Sequence, residues 1–407
     1  MKILVANLGS TSLKYRLFAC AGGEECVLAR GSFERVTDYG SAIERCLTEL
    51  VDERVLRDEK ELAAVGFKTV VARGVTGCVR VDDKVLAALE AYRGIAPAHN
   101  PPYVDGIREF ARRMPGTPLV ALFETAFYQW VPEAASRYAI PESWHELGVR
   151  RWSFHGASHK FVAERSAELL GRPDVAERVR RLYIDGPGAP PQDPKLPIPP
   201  KPPELRVISC HLGGSSSVTG IRNGVAIGSS MGFSPQSGLP QNDRVGDLDA
   251  AALPYVMRAT GISLDEAERA LTKESGLKAL SGGHNDLRDI KAEQAKGNPR
   301  AQLALDVLIH ETRRWVGSFH FEMDGIDALV FTAGMGENEP LIRAGVCAHL
   351  QRLGIHLDEE ANRRTVGGLE ATISAADTPA KVFVIPANEE LVVAREVRRL
   401  LEASPAN

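Results

Sequence analysis

None of the six cysteines (20, 26, 46, 78, 210 and 347) forms a C-x-x-C pair, so the chain shows neither a zinc ribbon nor a disulfide framework. No apolar run is long enough to span a bilayer. Residues 1–18, interrupted by Lys14 and Arg16, lack the charged start, long apolar run and cleavage site of a secretory leader. Positive charge is not in excess either. The 49 Lys and Arg against 53 Asp and Glu give a net charge of −4 with no basic patch, which argues against a nucleic-acid partner. A reduced, cytoplasmic protein with no nucleic-acid and no membrane partner is the expectation. At 407 residues and 44% hydrophobic, the chain can build two domains with ordinary cores.

Two stretches repeat one pattern about half a chain apart. Asn7-Leu8-Gly9-Ser10-Thr11-Ser12 follows the apolar residues 3–6, and His211-Leu212-Gly213-Gly214-Ser215-Ser216-Ser217 follows residues 207–210. Each leads into another strand-like run, residues 13–18 and 217–221. Strand, small-residue turn, strand is a hairpin whose turn keeps no bulky side chain between a ligand and the backbone. Free N–H groups there, with Ser and Thr hydroxyls beside them, suit phosphate oxygens. One such turn is ordinarily only a hairpin. Two at matching positions suggest a duplicated domain with phosphate loops facing a cleft, and Lys14 stands where it could reach a terminal phosphoryl group. The loop is not a Walker A, since no Gly-Lys-Ser/Thr and no helix follow it.

Elsewhere strands and helices alternate. Residues 119–123, 328–332 and 381–386 read as strands, and 155–170, 264–271, 301–319 and 389–401 carry helical spacing, the last with Asn388 as a cap. This is an α/β pattern, with mixed sheets because the opening hairpins are antiparallel. Nine of the 25 prolines fall in residues 187–203, which therefore read as an extended decorative loop. Glu389 and Glu390 suit the start of their helix electrostatically; alternatively, one of them helps to hold a metal ion.

Several motifs, in order, resemble the acetate and propionate kinase family. They are Asn7 to Lys14, Ala96-Pro97-Ala98-His99-Asn100-Pro101, Phe123-Glu124-Thr125-Ala126-Phe127 and Phe154-His155-Gly156-Ala157-Ser158-His159-Lys160. His211-Leu212-Gly213, Ser230-Met231-Gly232-Phe233-Ser234-Pro235, Arg244-Val245-Gly246-Asp247 and Asp286-Leu287-Arg288 follow. Phe331-Thr332-Ala333-Gly334-Met335-Gly336-Glu337-Asn338 and Asn388-Glu389-Glu390-Leu391 complete the set. The resemblance implies two duplicated ribonuclease-H-like domains of the actin-like ATPase superfamily around a central cleft. The first would span 1–150, completed by 387–407, and the second, nucleotide-binding one 151–386. It also implies a homodimer and a reversible, ATP-dependent transfer to a short-chain carboxylate.

On that resemblance Glu124, His155 and Arg244 are the catalytic residues, with Asn7 and Glu389 at the magnesium positions (manganese being a possible substitute). Ser10, Ser12, Lys14, His211, Leu212, Gly213, Gly214, Ser215, Asp286, Leu287, Arg288, Gly334, Met335, Gly336, Glu337 and Asn338 would contact ATP. Lys68, Arg73, Val70, Ala98, Phe154 and Pro235 would surround the carboxylate. An ion bridging phosphates keeps several waters, so one or two protein oxygens suffice. Arg244 has a competing reading as an ion pair with Asp243 or Asp247. His155 and His159 are spaced like helical zinc ligands, but the intervening Gly156 provides no glutamate of an H-E-x-x-H site.

The departures from the family pattern fall in the acyl half. Glu124 replaces an aspartate, and Asn242-Asp243 stands where glycine-threonine is expected. Either Lys68, in register, or Arg73, by a slip, replaces the substrate arginine. Lysine supplies charge without a bidentate fork. Finally, Ala98 replaces a leucine, which would widen the acyl pocket toward propionate or butyrate. A nucleotide-binding sensor that has lost acyl transfer is the alternative reading. A sugar kinase on the same fold is disfavoured by the carboxylate-kinase motifs.

Overall fold

The computed structural model describes residues 1–9, 11–22, 24–97, 99–188 and 203–403; Ser10, Ala98 and most of the proline-rich stretch 187–203 lie outside the described residues. Its sheets are one topology built twice. The first contains β1 (Lys2–Gly9), β2 (Ser12–Ala21), β3 (Glu24–Glu34), β4 (Leu62–Thr69), β5 (Cys78–Arg80) and β6 (Leu119–Phe123), in the order β3-β2-β1-β4-β6-β5. The second contains β7 (Arg206–Leu212), β8 (Ser216–Arg222), β9 (Val225–Ser229), β10 (Ala328–Thr332), β11 (Ala371–Thr372) and β12 (Lys381–Val384). Read outward from its hairpins, its order is β9-β8-β7-β10-β12-β11, the same strand for strand. Directions match too. Each opening triplet is antiparallel, the next two strands join it in parallel, and the edge strand reverses. The duplicated α/β fold with mixed sheets read from the two hairpins is the fold observed.

Local signals account for the helices that flank these sheets. The helix Pro299–Glu322 opens with Asn298 accepting from Arg300 N–H and a proline in its first turn, where a missing N–H costs nothing. Leu264–Lys273 starts in a Ser263/Glu266 capping box. The helix expected over 155–170 forms as Gly156–Leu169, because His155 sits in the left-handed region (φ 61°) and cannot be its first turn.

Strand alternation divides the core. On β1, Leu4, Ala6 and Leu8 face the helices Tyr39–Asp52 and Asn100–Arg113, while Ile3 and Val5 face the C-terminal helix Glu389–Ala403. On β7, Ile208, Cys210 and Leu212 face Pro299–Glu322, while Val207 faces Gly156–Leu169 and Pro173–Asp185. The C-terminal helix and Gly156–Leu169 therefore lie between the two sheets, and they pack on each other. Where they meet, Lys160 Nζ lies 2.8 Å from Glu396 Oε1, with each side chain only 2% exposed. Lys160 also sits over the Tyr183 ring, and Glu396 accepts from Arg399 at 2.5 Å.

A buried pair is costly to break from one side, because the survivor keeps its desolvation penalty. Glu396 retains Arg399, whereas Lys160 would retain only the face of a ring and the pull of Glu164, a carboxylate already held by Arg180 and Arg395. Glu396→Leu should therefore destabilise by about 3–5 kcal/mol, Lys160→Met by less, and the double variant should recover most of the loss. Urea unfolding of the three variants checks this ranking, and equal costs for the single variants would contradict it.

Candidate active site

The carboxyl ends of β1, β4 and β6 and the start of Gly156–Leu169 enclose a cavity of about 310 Å³. It is lined by Asn7, Ser12, Lys14, Lys68, Val70, Glu124, Phe154, His155, Ser215, Pro235 and Arg244, all expected from the sequence. Leu8, Gly9, His99 and Tyr103 line it as well. A larger groove of about 820 Å³ lies at the opposite end of β4, around Leu62, Arg57 and Arg113, away from these polar groups.

Tight backbone contacts set the geometry. Glu124 N–H donates to Thr69 O (2.8 Å), and Glu124 O accepts from Gly156 N–H (3.0 Å). A Cβ on Gly156 would stand 2.1 Å from that carbonyl, so glycine is what brings Glu124 and His155 together. Ser153 and His155 both have positive φ without being glycine, a strained pair held in place by its surroundings. Tyr128 Oη donates to Phe154 O at 2.6 Å, and Trp152 N–H to Gly232 O at 2.9 Å. Gly276 has a similar role beside Arg244: at φ 65° it lies against Gln241 O and Arg244 O, where a side chain would clash.

Lys68 is the electrostatic centre. Its Nζ lies 2.6 Å from Glu389 Oε2 and 3.1 Å from Glu124 Oε1, so the ammonium joins the first lobe's fourth strand to the C-terminal helix. Burial alone would lower the Lys68 pKa, but the two carboxylates outweigh it and push the pKa well above the ordinary value. Burial also opposes ionisation of Glu389; the closer ammonium prevails and holds that carboxyl below its ordinary value. For Glu124 burial prevails and the carboxyl is raised, Lys68 countering it and Glu389 adding to it.

Glu124 Oε2 and Glu389 Oε1 are buried without a hydrogen-bond partner. Two such carboxylate oxygens, with the Asn7 amide oxygen nearby accepting from Tyr103 Oη at 2.9 Å, are hard donors of the kind a small divalent cation takes. The residues fit a sparse magnesium site. Among the described residues no three His, Cys, Asp or Glu side chains gather into a metal-binding cluster, and His155 and His159 bond to serines instead.

Arg244 donates to Gln241 Oε1 (3.2 Å) and, weakly, to Pro235 O (3.5 Å). The ion-pair reading for it does not hold. Asp247 is taken by Arg314 at 2.7 Å, and among the described residues Arg244 forms no salt bridge. Burial lowers its pKa, and Asp243 opposes this from a distance. A guanidinium without a carboxylate partner beside a cavity is available for an anion.

The remaining expected residues form a second neighbourhood. His211 stacks on His155 with ring centroids 4.0 Å apart, while the side chain of Leu212 is in the core. Gly213 lies against Ala333 and Gly334, and nothing crowds Gly334, so its backbone is open to a ligand. Met335 is buried, Gly336 O accepts from Arg343, and Asn338 accepts from Gly367 N–H. Glu337 accepts from Ala387 N–H (2.9 Å), which ties this segment to the start of the helix carrying Glu389. Gly214 O accepts from Asn242 N–H, bringing the departing Asn242-Asp243 pair beside the loop. Asp286 caps its helix and holds the exposed Arg288 while Leu287 is buried; Lys291 ties that helix to Glu339. Arg73 is exposed and outside the cavity lining, and the position in register, Lys68, is the one inside it. Lys14 is 59% exposed at the cavity's mouth, loosely paired with Glu34.

Leu8, Gly9, His99 and Tyr103 are the cavity residues that motif reading passed over as site residues. Tyr103 sits one turn into Asn100–Arg113, aimed at Asn7, and its only sequence signal is its place just after the Asn100-Pro101 motif. Asn100 itself is structural: its amide donates to Val71 O, Leu89 O and Tyr92 O, which fixes the turn that follows Val70.

These features define a two-lobed phosphotransferase of the actin-like ATPase type. The acetokinase family model matches residues 2–184 and 198–395. An acetate kinase of Natranaerobius thermophilus is 38% identical, with 98% of this chain and 100% of that protein aligned. The crystal structure of Porphyromonas gingivalis acetate kinase superposes with a TM-score of 0.84 at 31% identity, covering 98% of this chain and 99% of that one. A propionate kinase from Francisella tularensis gives 0.82 at 29% identity, covering 97% and 98%. The chain belongs to the acetokinase family.

Burial pushes the His99 imidazole down to about 4, and Arg244 and Lys68 add to this. Its unfolded form takes a proton near 6.5 and its folded form does not, so stability is lost as pH falls from about 6.5 toward about 4. In urea unfolding, His99→Gln should flatten the stability–pH curve by up to about 1.4 kcal/mol per pH unit in that window. An unchanged slope would mean that His99 is already free to protonate in the fold.

Proposed function

We propose that this chain is an ATP-dependent carboxylate kinase that transfers the γ-phosphoryl group directly to acetate or a slightly larger carboxylate. The substrate oxygen forms a bond to the γ-phosphorus as the bond from that phosphorus to the bridging oxygen breaks. Acyl phosphate and ADP result, and the reaction runs in both directions. The observation that carries this reading is the single cavity in which Arg244, His155, Lys68 and Glu124 converge beside Ser12 and Ser215 of the two hairpin turns. Such a transfer needs positioning and charge neutralisation more than covalent help.

Arg244, without a carboxylate partner, is the group for equatorial phosphoryl oxygens, and His155 offers its free ring nitrogen to the same group. With both glutamates ionised, Lys68 and its two partners carry one net negative charge, which by itself would repel a carboxylate. Magnesium held by Asn7, Glu389 and Glu124 would supply the charge neutralisation that makes this corner attractive to anions. Val70, Phe154 and Pro235 give the acyl group an apolar wall. A sensor without catalysis is less well supported, because the matched relatives are carboxylate kinases along their whole length.

A hydroxamate trap for acyl phosphate, run with ATP and carboxylates of increasing chain length, tests the activity; no product with any of them would leave the sensor reading. In the same assay Arg244→Ala should lower kcat by about two to four orders of magnitude with ATP affinity nearly unchanged. Near-normal turnover would remove Arg244 from the catalytic set.

Metal dependence separates the two neighbouring glutamates. Glu390 faces Arg16 at 3.7 Å, outside the Lys68 corner, whereas Glu389 holds one of the orphaned oxygens. Glu389→Ala should sharply raise the magnesium needed for half-maximal rate, and Glu390→Ala should leave it near normal. Identical magnesium titrations would refute the assignment.

A further inference from the structure

Strands β7 and β8 carry a polar stripe on the face that meets Gly156–Leu169. Ser209 is paired with Thr219 and His211 with Ser217, and all four are buried. Ser217 Oγ lies 2.8 Å from Nδ1 of His155 and 2.8 Å from Nε2 of His159. On its other side His159 Nδ1 lies 2.8 Å from Ser209 Oγ. A hydroxyl has one proton and a neutral imidazole one N–H, so the chain Ser209–His159–Ser217–His155 can run uniformly in either of two directions; a third arrangement, with both imidazoles donating to Ser217, strands the buried Ser217 proton.

In one direction His155 donates from Nδ1 to Ser217, Ser217 donates to His159 Nε2, and His159 donates to Ser209. The Ser209 hydroxyl proton is then left without an acceptor among the described residues at a fully buried site, and a bare Nε2 lone pair is left for the cavity. In the other direction Ser209 donates to His159 Nδ1, His159 donates from Nε2 to Ser217, and Ser217 donates to His155 Nδ1. Every buried proton is then used, and the remaining N–H of His155 is left for the cavity. An unsatisfied buried donor keeps its full desolvation penalty with nothing to offset it, which selects the second direction.

We infer that Ser209, His159 and Ser217 form a one-way hydrogen-bond relay that holds His155 as the Nε2–H tautomer, with that N–H presented to the phosphoryl group. Ser217 and His159 are thus positioning residues, acting through His155. Burial holds both imidazoles well below their ordinary pKa, so the two rings are neutral, as the relay requires. The ring cannot easily turn away, because it stacks on His211, whose Nδ1 lies 2.8 Å from Ser158 Oγ. The consequence for turnover rests on the carboxylate-kinase reading, whereas the relay itself does not.

Nitrogen-15 spectra of the histidine-labelled resting protein test the relay, with His155→Gln and His159→Gln used to assign the two rings. Both rings should be protonated at Nε2 and bare at Nδ1; protonation of either at Nδ1 overturns the proposal. Ser217→Ala should shift the His155 Nδ1 signal downfield, toward that of an acceptor without a donor. It should also lower kcat by about 10- to 100-fold, with KM for ATP nearly unchanged. Ser217→Thr, which keeps the hydroxyl, should restore both readouts. Normal kcat in a folded Ser217→Ala protein would overturn the positioning role. Spectra as expected in a protein that makes no hydroxamate would instead leave the relay standing and sink the kinase reading.

Discussion

The ion pair between Lys160 and Glu396 joins the two helices that lie between the sheets, and the site geometry follows from it. His155 immediately precedes one helix and Glu389 begins the other. Lys160 is five residues beyond His155, and Glu396 seven beyond Glu389. Locking the helices within two turns of their starts fixes where those starts converge, since a helix advances about 1.5 Å per residue. An apolar contact there would bury as well but would resist sliding less. The paired charges, desolvated together, permit one register.

The corner around Lys68 shows how two departures from a family pattern can be one change. A lysine where an arginine is expected brings a more compact charge on a differently shaped side chain, while a glutamate where an aspartate is expected is one methylene longer. In the fold they meet at 3.1 Å, with the cation also reaching Glu389. Each substitution alone suggests a damaged site. Together they form a closed charge triad with two carboxylate oxygens still unpaired, which is the state of a site that has exchanged parts and kept its polarity. The loss of the bidentate fork is real, however, and on the proposed reading carboxylate orientation would come more from the walls around Val70, Phe154 and Pro235 than from the cation.

Much of the fold was legible because its signals are local. The two Gly/Ser hairpins predicted a duplication, and β3-β2-β1-β4-β6-β5 recurs in both sheets. The strands at 119–123 and 328–332 appear with those bounds because short, fully buried apolar runs leave little choice. The helix at 155–170 was misplaced at its start because a left-handed histidine leaves no trace in hydrophobic periodicity. The site was legible as a set of residue types, but not as a set of contacts. Nothing in sequence distinguishes Lys68 inside the cavity from exposed Arg73, five residues on, until β4 is placed beside the C-terminal helix.

The relay was missed for a different reason. Periodicity searches treat a strand such as β7 as apolar and its Ser209 and His211 as interruptions. Yet these residues alternate, as do Ser217 and Thr219 on β8, so all four fall on one face, opposite His155, Ser158 and His159 on the helix. Polar residues at period two within a buried strand, matched by polar residues three and four apart on a helix, require partners in each other, because water is not available to either. Such a stripe gives up apolar burial across a lobe core. In this fold it ends on one face of His155, whose other ring nitrogen belongs to the cavity. A buried polar network that terminates at a cavity is best understood from its open end: its interior members are satisfied by one another, and the last donor is left to whatever occupies the cavity.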